Sequence, residues 1–135
     1  MINLKAILPE ATWPLRHRIL WPDQPFSYIQ LPDDNNGYHY GLYLNGRLVS
    51  VISLFVRGAE GQFRKFATET DFQRQGLGSQ LLSHLLDEAQ KKGVKRIWCS
   101  ARLDAAPFYQ KFGLTLAGEP YLIKGIPYSV MEKYM

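Results

Sequence analysis

Two stretches of this chain combine residue types that can do chemistry. The first is Gln73-Arg74-Gln75-Gly76-Leu77-Gly78-Ser79. Glycines at alternate positions let the backbone approach a ligand closely, and a helical apolar pattern starts at Leu77. The first-turn N–H groups of that helix have no partner inside it. Such a bend can hold an anion, with the helix dipole contributing about 0.3–1 kcal/mol when exposed and up to ~2 when partly buried. Arg74 can add a charge-assisted contact. The same glycines would also ease a bare strand-to-helix turn, so the segment alone leaves both readings open. A P-loop is excluded because no Gly-Lys-Ser/Thr ending follows, and the dinucleotide fingerprint because the third glycine is missing. The second stretch, Ala105 to Leu114, sets the phenol of Tyr109 among Phe108 and Phe112. A phenol with an unperturbed pKa of about 10 keeps its proton at neutral pH and can act as a general acid. Aromatic spacing alone equally suits a core, and Phe108 reads as a core residue.

Other candidate groups are sparser. His17 and His39 carry the side-chain type that can act as a base near pH 7, although lone histidines commonly fill structural positions. The only cysteine, Cys99, lies in an apolar run; it can form no internal disulfide and no thiolate-rich zinc cluster, and is a poor nucleophile candidate. No metal site is expected.

These residues need a scaffold. Ile2 to Leu8 alternates as a strand ended by Pro9, and Glu10 to Leu20 has a helical face of Trp13, Leu15, Ile19 and Leu20, with Arg16 and Arg18 largely opposite. Pro22 to Gly37 lacks period and reads as a loop with at most one short helix. Tyr38 to Leu44 and Leu48 to Val56 form a hairpin about Asn45-Gly46, the pair that a tight turn favours, and Gln62 to Thr68 adds a third strand. Leu77, Leu81, Leu82, Leu85, Leu86 and Ala89 predict a helix of about four turns with Gly93 past its end. Val94 to Cys99 follows as a buried strand, then a helix capped by Asp104 and ended by Gly113. Thr115 to Lys124 and Pro127 to Lys133 close the chain as strands joined by Gly125-Ile126. The expectation is one α/β domain over residues 1–135, without repeats or linkers.

Composition agrees with an ordinary globular protein, at 46% hydrophobic and 21% charged residues. No stretch approaches a membrane span and no signal-peptide pattern opens the sequence, so the expected location is cytoplasmic, with no membrane partner. The net charge of +4 invites a nucleic-acid reading. Lys and Arg are nevertheless scattered, with no interleaved aromatics, so nucleic acid is not expected as a partner.

Gln73-Arg74-Gln75-Gly76-Leu77-Gly78 resembles the Gln/Arg-x-x-Gly-x-Gly/Ala coenzyme A signature of the GNAT superfamily of N-acetyltransferases. Ala105-Ala106-Pro107-Phe108-Tyr109-Gln110-Lys111-Phe112-Gly113-Leu114 is similar to the superfamily's A-x-x-F-Y-x-x-x-G-F segment, with Leu114 where Phe is usual. Leu15 to Pro22 resembles, more weakly, a first-helix pattern of some bacterial members. The resemblance implies a GNAT fold: a mixed, mostly antiparallel sheet of six to seven strands, splayed at the cofactor cleft, with about four helices. It implies acetyl-CoA as cosubstrate, held by Gln73, Arg74, Gln75, Gly76, Leu77, Gly78 and Ser79. It further implies a bulged strand at Phe66-Ala67-Thr68 facing the pantetheine arm, and a cleft wall carrying Ser100 or Arg102. Tyr109 would protonate the departing thiolate, and Glu69, just past the bulge, would be the base, directly or through water; a solvated surface carboxylate is the other reading of Glu69. Tyr128 stands where related sequences often carry His. The implied reaction is direct attack of a primary amine, on a small molecule, peptide or protein, by a monomer or homodimer. The alternative is a non-catalytic acyl-CoA binding or sensing module of the same fold.

Overall fold

The computed structural model describes residues 1–135. Its framework is a seven-stranded sheet in the order β1-β2-β3-β4-β5-β7-β6. β1 (Ile2–Ile7) pairs antiparallel with β2 (Tyr38–Leu44), and β2 with β3 (Arg47–Arg57). The β2–β3 turn closes because Asn45 and Gly46 both take positive φ, 51° and 85°. β4 (Glu60–Thr68) runs antiparallel to β3. α2 (Leu77–Lys91) crosses over to β5 (Arg96–Arg102), the one strand parallel to its neighbour, and Gly93 ends the crossover helix at φ 83°. α3 (Ala106–Gln110) leads to the hairpin of β6 (Thr115–Ile123) and β7 (Ile126–Tyr134). That hairpin turns on Lys124-Gly125, both at positive φ, one residue earlier than expected.

Helices cover both faces. On one, α2 buries Leu77, Leu81, Leu82, Leu85 and Ala89 against Leu42, Ile52, Leu54, Phe63, Ile97 and Met131. Each fully buried leucine there contributes about 1.5–3 kcal/mol. On the other, α1 (Pro9–Leu15) packs Leu15 on Val51 and Ala67. Pro9 opens α1 at its first turn, where a missing N–H costs nothing, and the chain continues as a π turn over Arg16–Leu20. The loop that follows contains two 3-10 turns, Phe26–Ile29 and Asp34–Asn36, against the single short helix expected. No helix is long and apolar enough to cross a membrane.

Two local expectations are corrected. Asp104 caps no helix: a 3-10 turn over Leu103–Ala105 precedes α3, whose N-cap position is Ala105. Arg16 is not on a solvent face but fully buried. Its guanidinium donates to both Asp34 carboxylate oxygens (2.8 and 2.9 Å), the Ile29 carbonyl (3.0 Å) and Ser53 Oγ (2.9 Å). Trp13 Nε1 and the Leu31 N–H also donate to Asp34. The helical pattern could not show this, because the partner lies in a loop far along the chain.

Candidate active site

β4 and β5 hydrogen-bond only at their starts, Glu60 to Gln62 against Arg96 to Trp98. Beyond that point the strands separate and leave a cleft of about 420 Å³, a volume suited to one small-ligand site. The separation coincides with a bulge in β4. Val51 pairs with Ala67 and Ser53 with Arg64, so two residues, Lys65 and Phe66, stand opposite Ile52 alone. Lys65 adopts φ 58°, the left-handed conformation such a bulge uses. The bulge therefore lies one step before the expected Phe66-Ala67-Thr68, and only Phe66 belongs to both. Ala67 is buried under α1, and Thr68 pairs with Ser50, whose hydroxyl meets its Oγ1 at 2.8 Å. The sequence does contain a signal for the true position. Strict alternation would put Lys65 on the same face as Phe63, yet the next apolar residue on that face is Phe66.

Gly76 is the N-cap of α2, at φ 80°, and offers no side-chain cap. The first bond within the helix is donated by the Gln80 N–H to the Gly76 carbonyl (3.2 Å). The N–H groups of Leu77, Gly78 and Ser79 thus point out of the helix end without an intrahelical acceptor. Arg74 also takes positive φ (63°) and is exposed. The bend is braced at both ends: Gln73 Nε2 donates to the Thr68 carbonyl (2.9 Å) and Gln75 Nε2 to the Asp71 carbonyl (3.1 Å). A Cβ on Gly78 would lie 3.2 Å from the Phe66 ring and 3.5 Å from Thr68 Oγ1. Glycine there lets the helix start press against the bulged strand, which sets the open N–H groups at the edge of the cleft.

Tyr109 lines the cleft on the α3 side, its ring packed by Phe63 (5.7 Å between centroids) and Phe108 (5.2 Å). Burial, with a smaller effect of Cys99, pushes its phenol above the ordinary tyrosine range, so it holds its proton throughout neutral pH. Cys99 also borders the cleft; burial pushes its thiol up to about 12, which removes it as a nucleophile. Ser100 and Arg102 both line the wall formed by β5, as expected. Ser100 hydrogen-bonds the Tyr121 hydroxyl, and Arg102 donates to the Tyr128 hydroxyl (3.2 Å) and the Leu20 carbonyl (3.3 Å).

The candidate bases fare differently. Glu69 is not among the residues lining the cleft. Arg18 grips both of its oxygens (2.6 and 3.3 Å) and Arg47 one (3.2 Å), and these hydrogen bonds, Arg18's foremost, hold the carboxyl below its usual range. A carboxylate so stabilised is a weak base. His39 is buried with both ring nitrogens engaged, by Ser53 Oγ and the Asp34 carbonyl (each 2.7 Å), and His17 bonds the Gln24 carbonyl. The structure brings no carboxylate and no imidazole into the cleft. Among the lining residues that pattern reading missed are Lys65, Trp21, Tyr28 and Ile123. Trp21 and Tyr28 come from the loop without period, where nothing local marks them.

Known proteins match this chain in sequence and in fold. Residues 6–114 match the family model described as the acetyltransferase (GNAT) family. The uncharacterised N-acetyltransferase YitI of Bacillus subtilis is 32% identical, across 93% of this chain and 91% of that protein. The ribosomal protein bS18-alanine N-acetyltransferase of Escherichia coli K12 is also 32% identical, over 75% of this chain and 68% of its own. Among solved structures, a GNAT family acetyltransferase from Elizabethkingia anophelis with acetyl-CoA bound superposes with a TM-score of 0.79 at 20% identity, covering 99% of this chain and 98% of that one. The family match over residues 6–114 and the 32% identity across nearly the whole chain are decisive: this chain belongs to the GNAT family of acetyltransferases and is an acyltransferase.

Proposed function

We propose that this enzyme moves an acetyl group from acetyl-CoA to a primary amine by direct attack. The observation that carries the reading is the junction of the α2 helix start with the β4 bulge, which sets free N–H donors against Phe66, a residue that lines the same cleft as the protonated Tyr109 phenol. The residues fit the cosubstrate. Leu77, Gly78 and Ser79 offer N–H groups, and Arg74 a cation, to its diphosphate, while backbone freed at Lys65 and Phe66 faces its pantetheine arm. The cosubstrate supplies an acetyl thioester. The acceptor nitrogen adds to the thioester carbonyl, the C–S bond breaks, and the Tyr109 hydroxyl gives its proton to the departing sulfur. With no carboxylate or imidazole in the cleft, the acceptor ammonium sheds one proton to water at the open mouth before attack, and the nitrogen sheds a second as the amide forms, which returns through water to the Tyr109 phenolate. Transfer at subsaturating acceptor therefore rises with pH until the acceptor's amine is fully neutral. The relative that acetylates a ribosomal-protein alanine and the superposed acetyl-CoA complex support this reading.

Thiol release from acetyl-CoA across a panel of amines tests it; release no faster with any amine than with buffer would leave only the binding-module alternative. The cradle has its own test. A Cβ at Gly76 meets nothing within 4 Å, so Gly76→Ala adds only the strain of φ 80°, about 1–2 kcal/mol. Gly76→Glu adds a negative charge at the anion site as well. Calorimetry is expected to show coenzyme A binding roughly tenfold weaker or more in Gly76→Glu than in Gly76→Ala. Equal affinities would remove the cradle from the mechanism.

A further inference from the structure

The mouth of the cleft opposite α2 is built from the loop after α1 and from the β6–β7 hairpin. Trp21 and Tyr28 meet there edge to face, 5.4 Å between centroids. Three cations surround this pair. The Lys65 ammonium lies 5.9 Å and the Lys124 ammonium 5.3 Å from the centroid of the Tyr28 ring, and the Arg102 guanidinium 5.7 Å from that of Trp21. None of the three joins an ion pair, although six other basic residues do. Arg64, the remaining cation of the lining, is turned toward Asp33 at 3.7 Å. No acidic side chain lines the cleft.

Three cations gathered around two aromatic rings, with no carboxylate among them, repel one another and are offset only weakly by the ring faces. The arrangement lacks an anion. The α2 helix start already offers donors for the diphosphate on the other side of the cleft, so the anion that completes this mouth belongs to the acceptor. We propose that the acceptor is a small amine that also carries a carboxylate, as an amino acid does, with the carboxylate set among Lys65, Arg102 and Lys124 and the carbon skeleton lying on Trp21 and Tyr28. This rests on the acetyl-transfer reading for the fate of the amine, but the anion site stands on its own geometry. Burial, and next the Arg64 charge, lower the Lys65 ammonium to about 8, so an arriving carboxylate would restore its full protonation.

Matched pairs test the inference. With saturating acetyl-CoA, kcat/KM per neutral amine is compared for phenylalanine against phenethylamine and for leucine against isoamylamine. In parallel, calorimetry in the presence of coenzyme A compares N-acetylphenylalanine with N-phenethylacetamide. The carboxylate member is expected to win in both readouts by roughly tenfold or more, and Lys124→Glu, in an exposed turn, is expected to abolish the advantage. No turnover with any amine, but retained preference for N-acetylphenylalanine that Lys124→Glu removes, would defeat the catalytic reading and keep the anion site. Turnover with no preference for the carboxylate in either pair would defeat the anion site alone. Absence of binding by either N-acetyl compound together with absence of turnover would defeat both. Weaker coenzyme A binding in Lys124→Glu, to the same degree as the acceptor effect, would assign the cations to the cosubstrate and overturn the proposal.

Discussion

Replacing Tyr109 by Phe is expected to lower kcat by about a hundredfold, near the lower end of what a general acid contributes, while coenzyme A affinity stays essentially unchanged. The lower end applies because a thiolate leaves more readily than an alkoxide or an amide nitrogen. The substitution removes one oxygen and keeps the ring contacts to Phe63 and Phe108, so folding should not confuse the result. The pH profile adds a second readout. The active form of Tyr109 is the protonated one, and burial raises its pKa, so its contribution would fade only above the ordinary tyrosine value of about 10. Wild-type kcat should thus show no descending limb between neutrality and that point. A limb near 8 or 9, or wild-type turnover in the Phe variant, would hand proton donation to another group or to water.

Legibility in the sequence followed the range of the interactions involved. The β2–β3 hairpin and α2 were readable because a two-residue turn and a repeated helical face are local, and the structure places both within a residue or so of expectation. Gly76 and Gly78 were readable because positive φ and close approach each need glycine. The bulge is less legible, because its one local cue is the three-residue apolar step from Phe63 to Phe66, which breaks the two-residue alternation of a strand. Arg16 was misplaced for a different reason. A charged residue scores as solvent-facing until its partner is known, and Asp34 sits in a segment whose prolines and asparagines carry no period. The mouth of the cleft shares that fate: Trp21 and Lys124 reach the Tyr28 ring only after the loop and the hairpin fold together.

The same buried ion pair governs how that mouth is held. Asp34→Ala is expected to destabilise the protein by about 3–5 kcal/mol, read from the denaturant midpoint. The reason is less the lost attraction than what remains: a guanidinium at 0% exposure, with its principal partner gone and no route to water. Typical domains have only about 5–15 kcal/mol in total, so this is a large share. Asp34→Asn, which keeps an acceptor oxygen but not the charge, should fall between. Arg16→Met combined with Asp34→Leu should recover much of the loss, since removing both charges leaves neither stranded. Acid provides an independent check. Burial alone would raise the Asp34 carboxyl, but the hydrogen bonds from Arg16, the Leu31 N–H and Trp13, with the Arg16 charge, hold it below its ordinary value. A carboxyl depressed in the folded state stabilises above its unfolded pKa of about 3.9, and that stabilisation is lost as pH falls through the folded value. Wild-type stability should therefore decline below about pH 4, with a shallower decline in Asp34→Asn. The Ile29 carbonyl and Leu31 N–H bonds tie the segment carrying Tyr28 to this pair. At temperatures where Asp34→Asn is still folded, its KM for acceptor should rise more than its Kd for coenzyme A. Equal changes in both, or a midpoint shift worth less than about 1 kcal/mol in Asp34→Ala, would mean that the loop is held by its apolar contacts instead.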